Sequence, residues 1–379
     1  MTIAVVPDKY KGCLSSVQVA EAIVAGVLEV NPSAICHRFY ASDGGDGFLE
    51  TIRRYIPGSH TVEVSSADAY GNGISSCYLW CDNTRTAYVE LAETVGLAKL
   101  DSSYRALSEA TTRGMGKQIA HALDKGAKRV VMGLGGSATN DAGMGILAEL
   151  GFAFLDEYGE AVDPVPYNFK KISTLIPPSE RIGGIEFIAI NDVNNPLLGP
   201  TGATYTYARQ KGATENELPE LESNLNHLTH LDGLNDAVRV ARTPGSGAAG
   251  GTAFGLMAGL GARFEAGALF LLELSGFEQF LESGAVDLVL TGEGKMDQQT
   301  THGKLIDGVI ELARQHQVPV MAICGKVEGV GAEDLGLLDL AQISDPNKPP
   351  TYSFDHASEL IERHTADLLR LHGQALIRQ

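Results

Sequence analysis

The chain has 379 residues, 44% hydrophobic and 20% charged, with 44 glycines. That exceeds one core and describes a two- or three-domain globular protein with many tight turns, not a disordered one. Twenty-nine Lys and Arg against 47 Asp and Glu leave a formal charge of −18, which repels nucleic acid and anionic membranes, so an anionic ligand has to be held by local donors and cations.

In chain order, an apolar run predicts a buried parallel strand over residues 3–6. It is followed by Pro7-Asp8-Lys9-Tyr10-Lys11-Gly12 and a helix. Ser15 and Gln18 fit a capping box there, and Leu14 and Val19 the hydrophobic staple around it. Val19, Ile23, Val27 and Ala20, Val24, Leu28 form its apolar stripe. A strand near 34–40 ends in Ser42-Asp43-Gly44-Gly45-Asp46-Gly47. The texture then changes near Pro57-Gly58. Strands over 61–65, 74–81 and 86–91, with Gly71-Asn72-Gly73 and Asp82-Asn83 as turns, predict an antiparallel meander. A helix over 112–123 stops at Gly126. Strand 129–132 leads into Gly133-Leu134-Gly135-Gly136-Ser137-Ala138-Thr139-Asn140-Asp141 and another helix. Strand 185–190 ends in Asn191-Asp192. A polar, helical region over 213–240 and a glycine-rich stretch over 245–261 follow.

From residue 286 the βαβ rhythm returns. Strand 286–290 ends in Thr291-Gly292-Glu293-Gly294-Lys295-Met296-Asp297. Helix 303–315, strands 318–324 and 340–343 and a final helix complete the chain. The last helix carries Ala357, Leu360, Ile361, His364, Leu368 and Leu371 on one side. The two ends share one style and the middle has another. The expected fold class is α/β: a doubly wound, flavodoxin-like parallel-sheet domain formed by both termini, residues 1–60 and 281–379, with a mixed α/β domain inserted over 61–280.

The five cysteines are scattered and lack zinc-ligand spacing. Cys77 and Cys81 share one strand roughly 13 Å apart, too far for a disulfide. Reduced thiols, no signal-peptide pattern before residue 3 and no membrane-length apolar run point to a cytoplasmic protein.

In an open parallel sheet, ligands bind beyond the carboxyl ends of the strands. Asp8-Lys9-Tyr10-Lys11, Asp43-Gly44-Gly45-Asp46, Gly133 to Asp141, Asn191-Asp192 and Gly292 to Asp297 all sit at such ends. Gly135, Gly136, Ser137, Thr139 and Asn140 join a strand to a helix. Glycines let backbone amides approach an anion, hydroxyls add donors, and a helix N-terminus adds partial positive charge. The same residues also suit a tight βα turn with a polar cap. Gly133-Leu134-Gly135-x-x-Ala138 additionally matches a degenerate dinucleotide fingerprint, though the helix after it reads short.

Asp8, Asp43, Asp46, Asp192, Glu293 and Asp297 are carboxylates in glycine-rich settings. They suit either magnesium carried by a nucleotide, acceptance of a hydroxyl proton, or plain turn formation. Lys11, Lys211, Lys295, Lys304 and Lys326 stand near glycines, where a lysine can neutralise a transferring phosphoryl group. His302 is a donor to a ligand, an acid/base group or a helix cap.

In order along the chain, these segments resemble the bacterial type of glycerate kinase. The resemblance is carried by Pro7-Asp8-x-x-Lys11-Gly12, Asp43-Gly44-Gly45-Asp46-Gly47, Gly135-Gly136-Ser137-Ala138-Thr139-Asn140-Asp141 and Asn195-Pro196-Leu197-Leu198-Gly199-Pro200. It continues in Gln210-Lys211-Gly212-Ala213, Gly247-Ala248-Ala249-Gly250-Gly251 and Thr291-Gly292-Glu293-Gly294-x-x-Asp297-x-Gln299-Thr300-x-x-Gly303-Lys304. Lys9 and Tyr10 replace the family's usual Ser and Phe, and Lys295 replaces an Arg, which keeps the charge but loses the planar fork.

The resemblance implies a kinase that uses ATP and Mg2+ to phosphorylate D-glycerate, with the 2-hydroxyl as acceptor and 2-phosphoglycerate as product in most members. In that reading Gly135, Gly136, Ser137, Thr139, Asn140, Glu293, Lys295 and Lys304 bind ATP and its phosphates. Asp43, Glu293 and Asp297 hold magnesium. Asp192 is the base, Asp297 the second choice, and Lys11 offsets charge on the transferring group. Asp8, Lys211 and His302 contact the substrate. The reactants are expected to meet in the interdomain cleft, as ligands often do. The competing classes are an NAD-dependent dehydrogenase, read by a nicotinamide absorbance change, and a non-catalytic nucleotide-binding regulator, read by ATP binding without turnover. A homo-oligomer is compatible with the sequence.

Overall fold

In chain order the strands are β1 Thr2–Pro7, β2 Ile35–Arg38, β3 His60–Ala67, β4 Gly73–Cys81, β5 Thr86–Glu90, β6 Arg129–Gly133, β7 Ala153–Leu155, β8 Thr174–Ile176, β9 Glu186–Ile190, β10 Arg263–Glu265, β11 Leu288–Gly292, β12 Lys295–Met296, β13 Val320–Cys324, β14 Lys326–Val327 and β15 Asp339–Gln342. The computed structural model describes residues 1–10, 12–40, 45, 47–99, 106–178, 182–297 and 305–376. Among them, no helix is long and apolar enough to cross a membrane.

The chain divides into two compact units. The first comprises Met1–Ser42 and Ala268–Gln379. Its sheet has the order β2-β1-β11-β13-β15 with every pair parallel. Counted within the unit this is 2-1-3-4-5, the flavodoxin-like order, whose switch point falls between β1 and β11. Ile3 and Val5 pack with Val19, Ile23 and Ile361 on one face, and Ala4 and Val6 with Leu272, Phe277 and Val309 on the other. Burial on both faces is why these strands are continuous apolar runs.

The helix Ser16–Val30 opens with the full capping box: the Gln18 amide donates to Ser15 Oγ at 3.3 Å and the Ser15 amide to Gln18 Oε1 at 3.0 Å. It packs on the helix Ala357–Leu376 through Gly26, where a Cβ would lie 2.3 Å from the Glu362 main-chain oxygen. This close approach turns the buried faces slightly from the expected stripes. Leu28 is 40% and Leu371 72% exposed, while Ala22, Thr365, Ala366 and Leu369 are buried.

The second unit comprises Asp43–Gly267. Its sheet runs β3-β4-β5-β6-β9-β10. The β3-β4-β5 meander is antiparallel, and β5, β6, β9 and β10 are parallel. Residues 43–60 fall in this unit, against the sequence boundary at 60. Glu90, at the end of β5, accepts from the amides of Gly47 and Leu49 at 3.1 and 3.0 Å and so ties the helix Phe48–Tyr55 to this sheet. At the other boundary, Ala268, Leu272, Phe277 and Leu281 join the core of the first unit, so residues 268–280 belong there.

Candidate active site

In the first unit, Pro7 of β1 pairs with Gly292 of β11. Asp8 and Glu293 therefore leave adjacent strands at the switch point. The Asp8 amide donates to the Gly292 oxygen at 2.8 Å, and Asp8 Oδ1 accepts the Lys9 amide at 2.7 Å. Glu293 is 8% exposed. A glycine is needed at 292, because a Cβ there would lie 2.0 Å from the Ile323 main-chain oxygen. The Tyr10 hydroxyl donates to that same oxygen at 2.8 Å. Burial, with the nearby Cys324 and Glu293, pushes the Tyr10 phenol well above its usual range. Lys295 Nζ sits 3.1 Å from Asp297 Oδ2 and 2.8 Å from Glu328 Oε2. Its hydrogen bonds to Glu328 and Asp297 raise its pKa, so the side chain stays charged. Glu293 and Asp297 carry carboxylate oxygens, the kind of hard donor that magnesium takes. Lys11, Asp43, His302 and Lys304 lie outside the described residues.

In the second unit, the loop after β6 is held by its neighbours. The Leu134 amide donates to the Ile190 oxygen at 3.0 Å and the Ala138 amide to the Val95 oxygen at 2.8 Å. The helix expected after Asp141 begins at Met144 and has six residues. Its first amides are already engaged. Buried Asp141 accepts from Gly143 and Gly145 at 3.1 and 3.2 Å, and from the Thr112 amide and hydroxyl at 2.7 and 2.8 Å. A helix N-terminus therefore adds little at this loop, contrary to the sequence expectation. A six-residue helix also fits poorly with a dinucleotide fingerprint, which requires a full βαβ crossover helix.

Lys211 supplies a side-chain donor instead. Its Nζ donates to Ser137 Oγ and to the Thr139 main-chain oxygen, both at 2.7 Å, and the residue is 6% exposed. Burial lowers its pKa from 10.5 to about 7, against an opposing pull from Asp141. Three more buried atoms on the same strand ends, Thr139 Oγ1, Asn140 Oδ1 and Asn191 Nδ2, have no hydrogen-bond partner among the described residues.

Residues 247–251 support the loop at close range. Ala249, Gly250 and Gly251 are all left-handed, with φ of 55°, 67° and 82°. A Cβ on Gly250 would lie 2.0 Å from the Thr139 oxygen. The Ala142 amide donates to the Gly250 oxygen at 3.1 Å.

Gly135, Gly136, Ser137, Thr139, Asn140 and Lys211 are thus brought together in the second unit. Asp192 stands there too, half-buried at the end of β9. Asp8, Glu293, Lys295 and Asp297 belong to the first unit. The role of Asp141 is not legible from sequence. Asp141 closes a motif that reads as a phosphate loop.

The glycerate kinase family model matches residues 3–373. The glycerate kinase of Bacillus subtilis is 34% identical over 372 residues, 97% of each chain. Glycerate 2-kinase of Escherichia coli is 33% identical over 343 residues, 89% of this chain and 87% of that one. A crystal structure of a candidate glycerate kinase 2 from Salmonella typhimurium LT2 superposes with a TM-score of 0.80 at 30% identity, covering 99% of both chains. The chain is an enzyme of the glycerate kinase family.

Proposed function

We propose that this enzyme transfers the γ-phosphoryl group of ATP to the 2-hydroxyl of D-glycerate, giving 2-phosphoglycerate, with magnesium bound alongside the nucleotide. Beyond family membership, one observation carries this reading: a buried lysine bonded to a Gly-Gly-Ser loop at the carboxyl ends of parallel strands. Such a loop offers backbone amides and a lysine donor to an anionic reactant.

In this reading Gly135, Gly136 and Ser137 contact phosphate. Glu293 and Asp297 hold the metal, which neutralises phosphate charge when bound. Asp192 accepts the proton of the attacking hydroxyl, and Lys295 offsets phosphate charge. Phosphoryl transfer asks mainly for positioning and electrostatics, which these groups supply.

The test is to incubate the protein with ATP, magnesium and D-glycerate and follow phosphorus NMR. A 2-phosphoglycerate resonance that depends on all three is expected. A 3-phosphoglycerate resonance would overturn the regiochemistry, and unchanged ATP would overturn the activity.

A further inference from the structure

The deep half of the Gly135–Asn140 loop differs chemically from the glycine half. Thr139, Asn140 and Asn191 are 0%, 1% and 4% exposed, and each holds an unpartnered polar atom. Buried polar atoms without partners are rare in folded proteins and call for an explanation.

The donor or acceptor character of these atoms follows from what holds the rest of each side chain. Asn191 Oδ1 accepts the Val193 amide at 3.0 Å. Asn191 Nδ2 is therefore a fixed donor. Asn140 Nδ2 donates to Thr204 Oγ1 at 3.5 Å. Asn140 Oδ1 is left as a fixed acceptor.

A polyphosphate at neutral pH presents acceptor oxygens and no donor, so it cannot satisfy Asn140 Oδ1. A hydroxy acid carries both the donor and the acceptors that the set asks for. Its hydroxyl proton suits Asn140 Oδ1, and its carboxylate suits Asn191 Nδ2, the Thr139 hydroxyl and Lys211. We propose that Thr139, Asn140 and Asn191 form the subsite for the acceptor hydroxy acid, and that phosphate binding is confined to the Gly135–Ser137 half of the loop. This rests on the kinase reading above and divides its loop between the two reactants.

The test uses Thr139→Val, which is nearly isosteric, on the full chain. Its KM for D-glycerate should rise about tenfold, which is the loss of one hydrogen bond, about 1.4 kcal/mol. Its KM for ATP should stay within about twofold. Its melting temperature should stay level or rise, because an unsatisfied buried hydroxyl has been removed. A raised KM for ATP with an unchanged KM for glycerate would overturn the proposal. So would a lower melting temperature with both constants unchanged, which marks a structural threonine.

Calorimetry on the wild-type protein reads the subsite without turnover or substitution. D-Glycerate should bind at least about tenfold tighter than propionate, which has the carboxylate but no hydroxyl. Equal affinities, or no binding of D-glycerate, would overturn the subsite. Binding with that preference but without ATP turnover would sink the kinase reading and leave the subsite standing.

Discussion

The Lys211 ammonium donates at 2.7 Å to the main-chain oxygen of Thr139, 72 residues earlier in the chain. Burial holds its pKa near 7 instead of 10.5, with Asp141 the opposing charge. Between those two values the unfolded chain keeps a proton that the folded chain has released. Raising the pH through that window therefore favours the folded state, and below about 7 the cost of burying the charge is fully felt. Lys211→Met should flatten this rise. Urea midpoints measured across the window for both proteins check it, and parallel pH slopes would rule it out.

Asp141 should matter to stability more than its place at the end of a glycine-rich motif suggests. Its carboxylate accepts four hydrogen bonds from Thr112, Gly143 and Gly145 in a fully buried position. Asparagine has one oxygen to offer and turns an NH2 toward amide donors. Asp141→Asn should cost about 2–4 kcal/mol of folding stability. Denaturant unfolding measures it, and a loss under about 0.5 kcal/mol would show that the network repacks around the amide.

The strand ends were legible because β1, β6, β9 and β11 are short apolar runs that stop at Gly, Asp or Asn. The Ser15–Gln18 cap was legible because its two hydrogen bonds join neighbours in sequence. Apart from the family resemblance, which made it a substrate contact, Lys211 was visible only as a lysine beside a glycine. Nothing local distinguishes an exposed lysine from one folded under a loop 72 residues away. The burial of Thr365 and exposure of Leu371 likewise follow from how closely Gly26 lets two helices approach, which is a tertiary fact. The glycines at 247–251 read as a glycine-rich stretch, and the structure shows their close approach to Thr139 and Pro196.

That close approach gives a third prediction. Gly250→Ala places a Cβ 2.0 Å from the Thr139 oxygen at a φ of +67°, so the loop bearing Thr139 and Asn140 has to shift. Stability should fall by about 1–3 kcal/mol. The KM for glycerate should rise as well. Gly26→Ala, whose Cβ would lie 2.3 Å from the Glu362 oxygen in the other unit, should lose comparable stability with unchanged kinetics. If both variants alter KM alike, the kinetic effect comes from global loosening and not from the loop.

Asp192 separates chemistry from fold. It follows Asn191 at the end of β9 and is only half-buried, so an isosteric amide should be accommodated with little loss of stability. An amide cannot take up the hydroxyl proton. A positioned general base contributes about 10²–10⁴-fold, so Asp192→Asn should lower kcat by about that factor. The KM for glycerate should change little, since the loss falls on the transition state and not on ground-state binding. Turnover near the wild-type value would move the base role to Asp297, and Asp297→Asn would then have to show the loss. If neither variant slows turnover, proton acceptance by a carboxylate is not part of the reaction in this enzyme.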